Sequence, residues 1–299
     1  MRKTLEEIFK QLPGPNWTGL THKKTRRWQL YARNGKFEHF NETFSEGYRL
    51  EVFYQGAMGY ACTSSIENLP AAHAQALSLA QLSARHKLQH FDIGVIRPAT
   101  KGEWTSGLEF QFDQSSMRQL VDYCTETSLL LKADPAIRSS QCYLYLEEVE
   151  TQMINSSGAR THQRHVNMMD STVATAANSQ DSQTRSNGTQ VGQKNLFSNW
   201  KAQKLRIEKI GEEARELLMA PNCPNEKMDL LIAPDQLYLQ IHESIGHPLE
   251  LDRILGDERN YAGWSFLNPQ DFGKLLYGSK LLNITFDPLV EGELASYAF

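Results

Sequence analysis

Apolar positions alternate in the first third of this 299-residue chain and recur at helical spacing farther on. Residues 28–33 and 36–41 read as two strands flanking Asn34-Gly35, a dipeptide that accepts the positive φ of a tight hairpin turn. Residues 48–54 and 57–62 form a second expected hairpin around Gln55-Gly56. A helix follows near Pro70, a residue suited to the first helical position, with Leu77, Ala80, Ala84 and Leu88 on one face. The small alanines allow that face to pack closely on the preceding sheet.

The middle third places a helix first. Met117, Leu120, Val121, Cys124 and Leu131 keep helical spacing, and Pro135 marks the end. Cys142, Leu144 and Leu146 then alternate as in a strand, and Asn155-Ser156-Ser157-Gly158 turns the chain into another extended segment. Residues 178–194 are rich in Gln, Ser, Asn, Thr and Gly and read as a polar strand-loop region. Ile207, Ile210, Ala214, Leu217 and Leu218 define an amphipathic helix whose other face carries Glu208, Lys209, Glu212, Glu213 and Arg215. Pro221 and Pro224 bracket a linker, the expected domain boundary. Beyond it the pattern predicts a buried strand over residues 228–232, a turn at Pro234-Asp235, and a helix from about Gln236 with Asp235 as its N-cap.

Composition narrows the function. Hydrophobic residues at 40% and charged residues at 22% fit an ordinary folded protein long enough for about two domains. A net charge of −4 gives no reason to expect nucleic acid as partner. The basic run His22 to Arg27 reads as the solvated start of a strand; a nucleic-acid contact would call for interleaved aromatics or glycines, which it lacks. Met1-Arg2-Lys3-Thr4-Leu5-Glu6-Glu7 has no apolar signal-peptide core, and no stretch approaches the roughly 18 apolar residues needed to cross a bilayer. Cys62, Cys124, Cys142 and Cys223 are widely spaced, as free thiols in a reducing cytoplasm would be. The protein is therefore expected to be cytoplasmic, with no membrane partner. Glu147-Glu148 and Glu212-Glu213 read as solvated faces, and neither a Gly-x-Ser-x-Gly elbow nor a phosphate-binding loop is present.

The chemistry lies in Ile241-His242-Glu243-Ser244-Ile245-Gly246-His247-Pro248-Leu249-Glu250-Leu251-Asp252. Zinc peptidases of the His-Glu-x-x-His type space their histidines four apart on one helix face, with the glutamate as general base. Here the spacing is five, which in a regular α-helix leaves the two side chains about 140° apart. Gly246 permits distortion, and Pro248 disfavours α geometry at His247. A widening of the i→i+5 kind there would return both histidines to one face. The other reading makes His242 an ordinary helix histidine and His247 a helix-terminal cation.

Residue for residue, His242 to Asp252 resembles the His-Glu-x-x-x-His…Leu-Glu-x-Asp pattern of the TldD branch of the TldD/PmbA family, historically labelled modulators of DNA gyrase. The glycine-containing hairpin at residues 48–61, the Ala-rich helix after Pro70 and the Asn155-Ser156-Ser157-Gly158 turn also resemble that family. Asp287-Pro288 and Ser296-Tyr297-Ala298-Phe299 look like the approach to a family Asp-Asp-Glu-Gly segment.

The resemblance implies an α+β fold: an N-terminal sheet-and-helix region over residues 1–95, a central region over 96–222, and the start of a β-rich C-terminal metallopeptidase domain over 223–299. It implies a zinc-dependent peptidase acting on unfolded or modified peptides inside a closed dimeric chamber, as a homodimer or with a TldD/PmbA-family partner. His242 and His247 are then metal ligands, Glu243 the base, and Glu250 and Asp252 groups that orient the histidines. The family's third ligand is a distant cysteine with no counterpart before Phe299, and Cys223 lies at a position the pattern does not support. Impaired activity is expected, and the alternative is a non-catalytic remnant or binding subunit.

Overall fold

Two turns set the sheet. Asn34 and Gly35 have φ of 50° and 74°, and Gln55 and Gly56 have φ of 45° and 85°. Both are two-residue connections of the kind that match the twist of antiparallel strands. They join β1 (Trp17–Arg33), β2 (Lys36–Tyr54) and β3 (Ala57–Thr63). The computed structural model describes residues 4–14, 16–86, 92–106, 112–132, 134–191, 200–256, 258–290 and 298. Leu88, residues 192–194, Ser296, Tyr297 and Phe299 lie outside them, as does the side chain of Asp235.

The sheet continues through β4 (Lys101–Thr105), β5 (Ile137–Asn155), β6 (Arg160–Ala177) and β7 (Ser182–Val191), in the order β3-β2-β1-β5-β6-β4, with β7 also on β6. All pairings are antiparallel except β4 with β6. Because β1 pairs with β5, residues 1–95 and 96–222 contribute to one sheet. The helices are α1 (Leu5–Phe9), α2 (Leu69–His86), α3 (Ile93–Ile96), α4 (Gln114–Leu130) and α5 (Trp200–Leu217), followed by α6 (Pro234–Ile241) and α7 (Leu251–Leu255). Mixed helices and antiparallel sheet make the chain α+β, as expected.

Period-two alternation puts the even-numbered residues of β1, and those of β5 after the irregularity between Ile137 and Ser139, on the helix side of the sheet, where Ile137 also packs. There α1 and α2 close over Leu20, Leu50 and Val52, α4 over Trp28, Leu30, Leu144 and Leu146, and α5 over Ile137, Ala174 and Ala176. The alanines of α2 allow very close contact: a Cβ added at Gly59 would lie 2.1 Å from the Ala76 carbonyl oxygen.

The basic run departs from its expectation as the start of a strand. It sits inside the long strand β1, where cross-strand carboxylates meet it. His22 faces Glu46 at 2.8 Å, Lys24 faces Glu150 at 3.5 Å, Arg26 faces Glu42 at 2.6 Å, and Arg27 pairs with Glu147. The Asn155 turn is tied to β1 by hydrogen bonds from the Trp17 indole to the Ser157 hydroxyl and from the Thr18 amide to the Ser156 hydroxyl.

The chain divides into two compact units, Met1–Pro221 with Asp287–Phe299, and Asn222–Phe286. The division falls at the proline-bracketed linker. In the second unit the described residues form helical turns and loops without a strand. The strand expected at residues 228–232 is absent, and Leu230 and Leu231 are 80% and 97% exposed. A strand needs a neighbour to satisfy its backbone, and no described residue supplies one. The N-cap of α6 is Ala233 rather than Asp235, because the helix starts at Pro234, whose missing N–H costs nothing there. No helix among the described residues is long and apolar enough to cross a membrane.

Candidate metal centre

The helix that begins at Pro234 changes pitch at the motif. Residues His242–Gly246 form one π-helical turn, and the His247 amide donates to the His242 carbonyl. That bond spans five residues, so the rotation between the two histidines closes to roughly one turn. A 3-10 turn, His247–Leu249, follows, and Glu250 then leaves helical geometry with ψ of 119°.

The sequence explains where the bulge sits. Pro248 has no amide to give the Ser244 carbonyl, its usual partner four residues back. The Tyr277 hydroxyl donates to that carbonyl instead. Gly246 adds no side chain to the turn, and a Cβ there would meet open space. The turn is further tied by the Ser265 hydroxyl, which donates to the Pro248 carbonyl at 2.7 Å.

The two imidazoles consequently meet edge to face, with centroids 4.3 Å apart and planes at 81°. One donor atom each from His242, Glu243 and His247 lies within 4.8 Å of the others. His247 Nε2 is 3.9 Å from a Glu243 oxygen, while its Nδ1 is 2.9 Å from Glu250 Oε1. A proton on Nδ1 donated to Glu250 leaves the Nε2 lone pair turned toward Glu243 and His242. The hydrogen bond from His247, aided by Arg253, holds the Glu250 carboxyl below the usual carboxylate range.

Two imidazoles and a carboxylate on one exposed turn are a donor set that suits a zinc-like ion. Of the five residues expected at the site, His242, Glu243 and His247 converge, and Glu250 contacts His247. Asp252 does not join them: its carboxylate accepts from the Arg253 amide at 2.9 Å, within its own turn. Cys223 is exposed, its thiol 3.8 Å from the Pro224 carbonyl, and it stands outside the cluster. Tyr277 and Arg253 escaped sequence reasoning because nothing in a lone Tyr or Arg marks it as the partner of a turn far along the chain.

Residues 22–80 match the first domain of the PmbA/TldA metallopeptidases. A protein described as a metalloprotease from Methanothermobacter thermautotrophicus is 25% identical over 288 residues, which are 92% of this chain and 57% of that one. These matches make the chain similar to the TldD/PmbA metallopeptidases. The fold agrees: a candidate modulator of a DNA gyrase from Thermotoga maritima superposes with a TM-score of 0.58 at 17% identity, over 74% of this chain and 50% of its own. TldE from Thermococcus kodakarensis gives 0.47 at 11% identity, over 71% of this chain and 46% of its own. The chain thus spans about half the length of the TldD/PmbA relatives it matches.

Proposed function

We propose that this chain carries the metal-binding turn of a TldD/PmbA-type, zinc-dependent metallopeptidase that hydrolyses unfolded or modified peptides. The observation that carries the proposal is the five-residue bulge, which sets His242, Glu243 and His247 within 4.8 Å. His242 and His247 would hold the ion through neutral ring nitrogens. Zinc bound there would supply Lewis acidity, bringing a bound water toward a pKa of about 7 and polarising a peptide carbonyl.

The chain's own residues do the rest. Glu243 takes the proton of the attacking water on its carboxylate and passes it to the leaving amine. Glu250 keeps His247 in the tautomer that presents Nε2, so a metal-free turn is already organised for the ion. In this reading Asp252 supports the turn rather than either imidazole. The protein acts in the cytoplasm as a homodimer or with a TldD/PmbA-family partner.

A second reading, a non-catalytic binding subunit, is favoured by the donor count. With Glu243 reserved as base, two histidines remain, whereas zinc sites use three or four protein ligands. These 299 residues alone should therefore bind zinc weakly, and activity depends on a third ligand supplied in cis or in trans from outside them.

The test measures zinc content and cleavage of an unfolded substrate, for the chain alone and mixed with a TldD/PmbA-family partner. Glu243→Gln should abolish turnover with zinc content nearly unchanged; His242→Ala and His247→Ala should remove both. Full activity in the Gln variant would sink the role of Glu243. Zinc binding without turnover under every condition would select the binding-subunit reading.

A further inference from the structure

The strand β2 is covered along only part of its outer edge. β3 pairs with it from Tyr48 to Tyr54 and ends at Thr63, whereas β2 runs back to Lys36. Residues 36–47 pair with β1 on one side and with no described strand on the other. Such an edge presents a row of unpaired N–H and C=O groups, a template for another strand.

Where β3 stops, a cavity opens on each face of the sheet. The one on the face that carries none of the described helices of the sheet unit has a volume of about 790 Å³, and its charged lining is Lys23, Arg27, Arg49 and Glu46. The one on the helix side, about 580 Å³, is lined by Leu5, Ile8, Tyr48 and Ile66 together with polar groups such as His22 and Glu46. Farther along that second face Phe40 and Phe44 are 37% and 63% exposed. Phe40 stands edge-on to Trp28, with ring centroids 5.6 Å apart. A strand laid in line with β3 would point successive side chains to alternate faces. In strand addition of this kind, main-chain hydrogen bonds give affinity and alternate pockets give selectivity.

We infer that residues 36–47 and the two cavities beside them form a docking slot for an extended peptide whose side chains alternate between acidic and apolar. Its carboxylates face Lys23, Arg27 and Arg49; its apolar side chains lie along Tyr48, Phe44 and Phe40. Arg27 also holds Glu147, whose carboxylate feels Lys23 as well, and Arg49 shares Glu51 with Arg97, so the positive charge of this lining is partly offset. A second copy of β2 fits less well: the two-fold pairing that sets Phe40 against Phe44 also sets Glu42 opposite Glu42, and like charges directly opposite repel. The slot uses no residue of the His242 turn and stands whether or not that turn holds metal.

The experiment is fluorescence anisotropy with the full chain and a labelled, N-acetylated octapeptide of alternating Phe and Glu. Saturable binding is expected, weakened about two- to fivefold by Lys23→Glu. A Phe-Lys octapeptide should bind more weakly than the Phe-Glu one. Because a strand uses one edge, N-methylation of one alternate set of peptide amides should abolish binding, while the other set tolerates it. These peptide comparisons require no protein variant. Failure of the Phe-Glu peptide to bind, equal binding of the Phe-Lys peptide, or tolerance of both N-methylated sets would overturn the inference. So would a concentration-dependent dimer that Phe44→Glu disperses and the peptide does not, since the edge would then belong to a second copy.

Discussion

In the sheet unit Leu20, Leu30, Leu50 and Leu144 are wholly enclosed, whereas in Asn222–Phe286 Leu267, at 9% exposure, is the most enclosed of the described hydrophobic residues. The first unit buries apolar side chains between long strands and helices, a source of stability that grows with the area removed from water. The second holds its turns mainly by single polar ties: Tyr277 on Ser244, Ser265 on Pro248, and Arg253 donating to the Ala262 carbonyl at 3.0 Å. Arg259 lies 3.8 Å over the Trp264 ring and adds a cation–π contact. A scaffold of high local stability and a site segment of low local stability are a common division of labour. In this chain the candidate metal turn belongs to the weaker partner.

The contrast is tested most forcefully in the core. Leu144→Ala should cost about 2–5 kcal/mol and lower the main calorimetric transition by several degrees. Proteolytic cleavage within residues 222–286 of the native protein should keep its rate. Equal acceleration there would mean that the two units unfold as one.

Tyr277→Phe probes the other unit. It removes one hydrogen bond, about 0.5–1.5 kcal/mol, and should speed hydrogen exchange at Gly246, His247 and Leu249 while leaving the main transition unmoved. A shift of that transition would show that the turn is coupled to the sheet core.

The two units also differed in how much their sequences disclosed. Asn34-Gly35 and Gln55-Gly56 were legible because positive φ has few tolerant residues, and the helices because their apolar spacing is local. The length of β1 was not legible. Lys24 and Arg26 are ordinary surface residues until Glu150 and Glu42, distant in sequence, come alongside. At the metal turn the five-residue spacing, Gly246 and Pro248 together pointed to a bulge, and a π turn is what forms. Residues 228–232 looked like a buried strand because apolar patterning reports a tendency to be covered, and the described residues do not provide the cover. Asp235 looked like a cap because its residue type is right, but Pro234 already starts the helix.

A smaller effect comes from pH and belongs to the sheet unit. Burial holds the His73 imidazole below its ordinary range, with the Thr18 hydroxyl 3.0 Å away. Burial does the same at His165, where Lys23 adds to it and Glu147 opposes it. Both rings take up a proton less readily in the fold than once unfolded. The unfolded chain therefore binds more protons below pH ~6.5, so their contribution is complete above that value and is lost as pH falls beneath it. The main transition should drop between pH 7 and pH 5, and His73→Gln should flatten that drop. An unchanged slope would mean that His73 is not held neutral.

The most direct test of the metal turn is a zinc titration of the 15N-imidazole-labelled chain followed by NMR. The ring nitrogens of His242 and His247 should shift together at a single stoichiometry, in Glu243→Gln as in the wild type. His247→Ala should abolish the response of His242. Independent titration of the two rings, or a His242 response that survives loss of His247, would contradict a shared ion across the five-residue bulge.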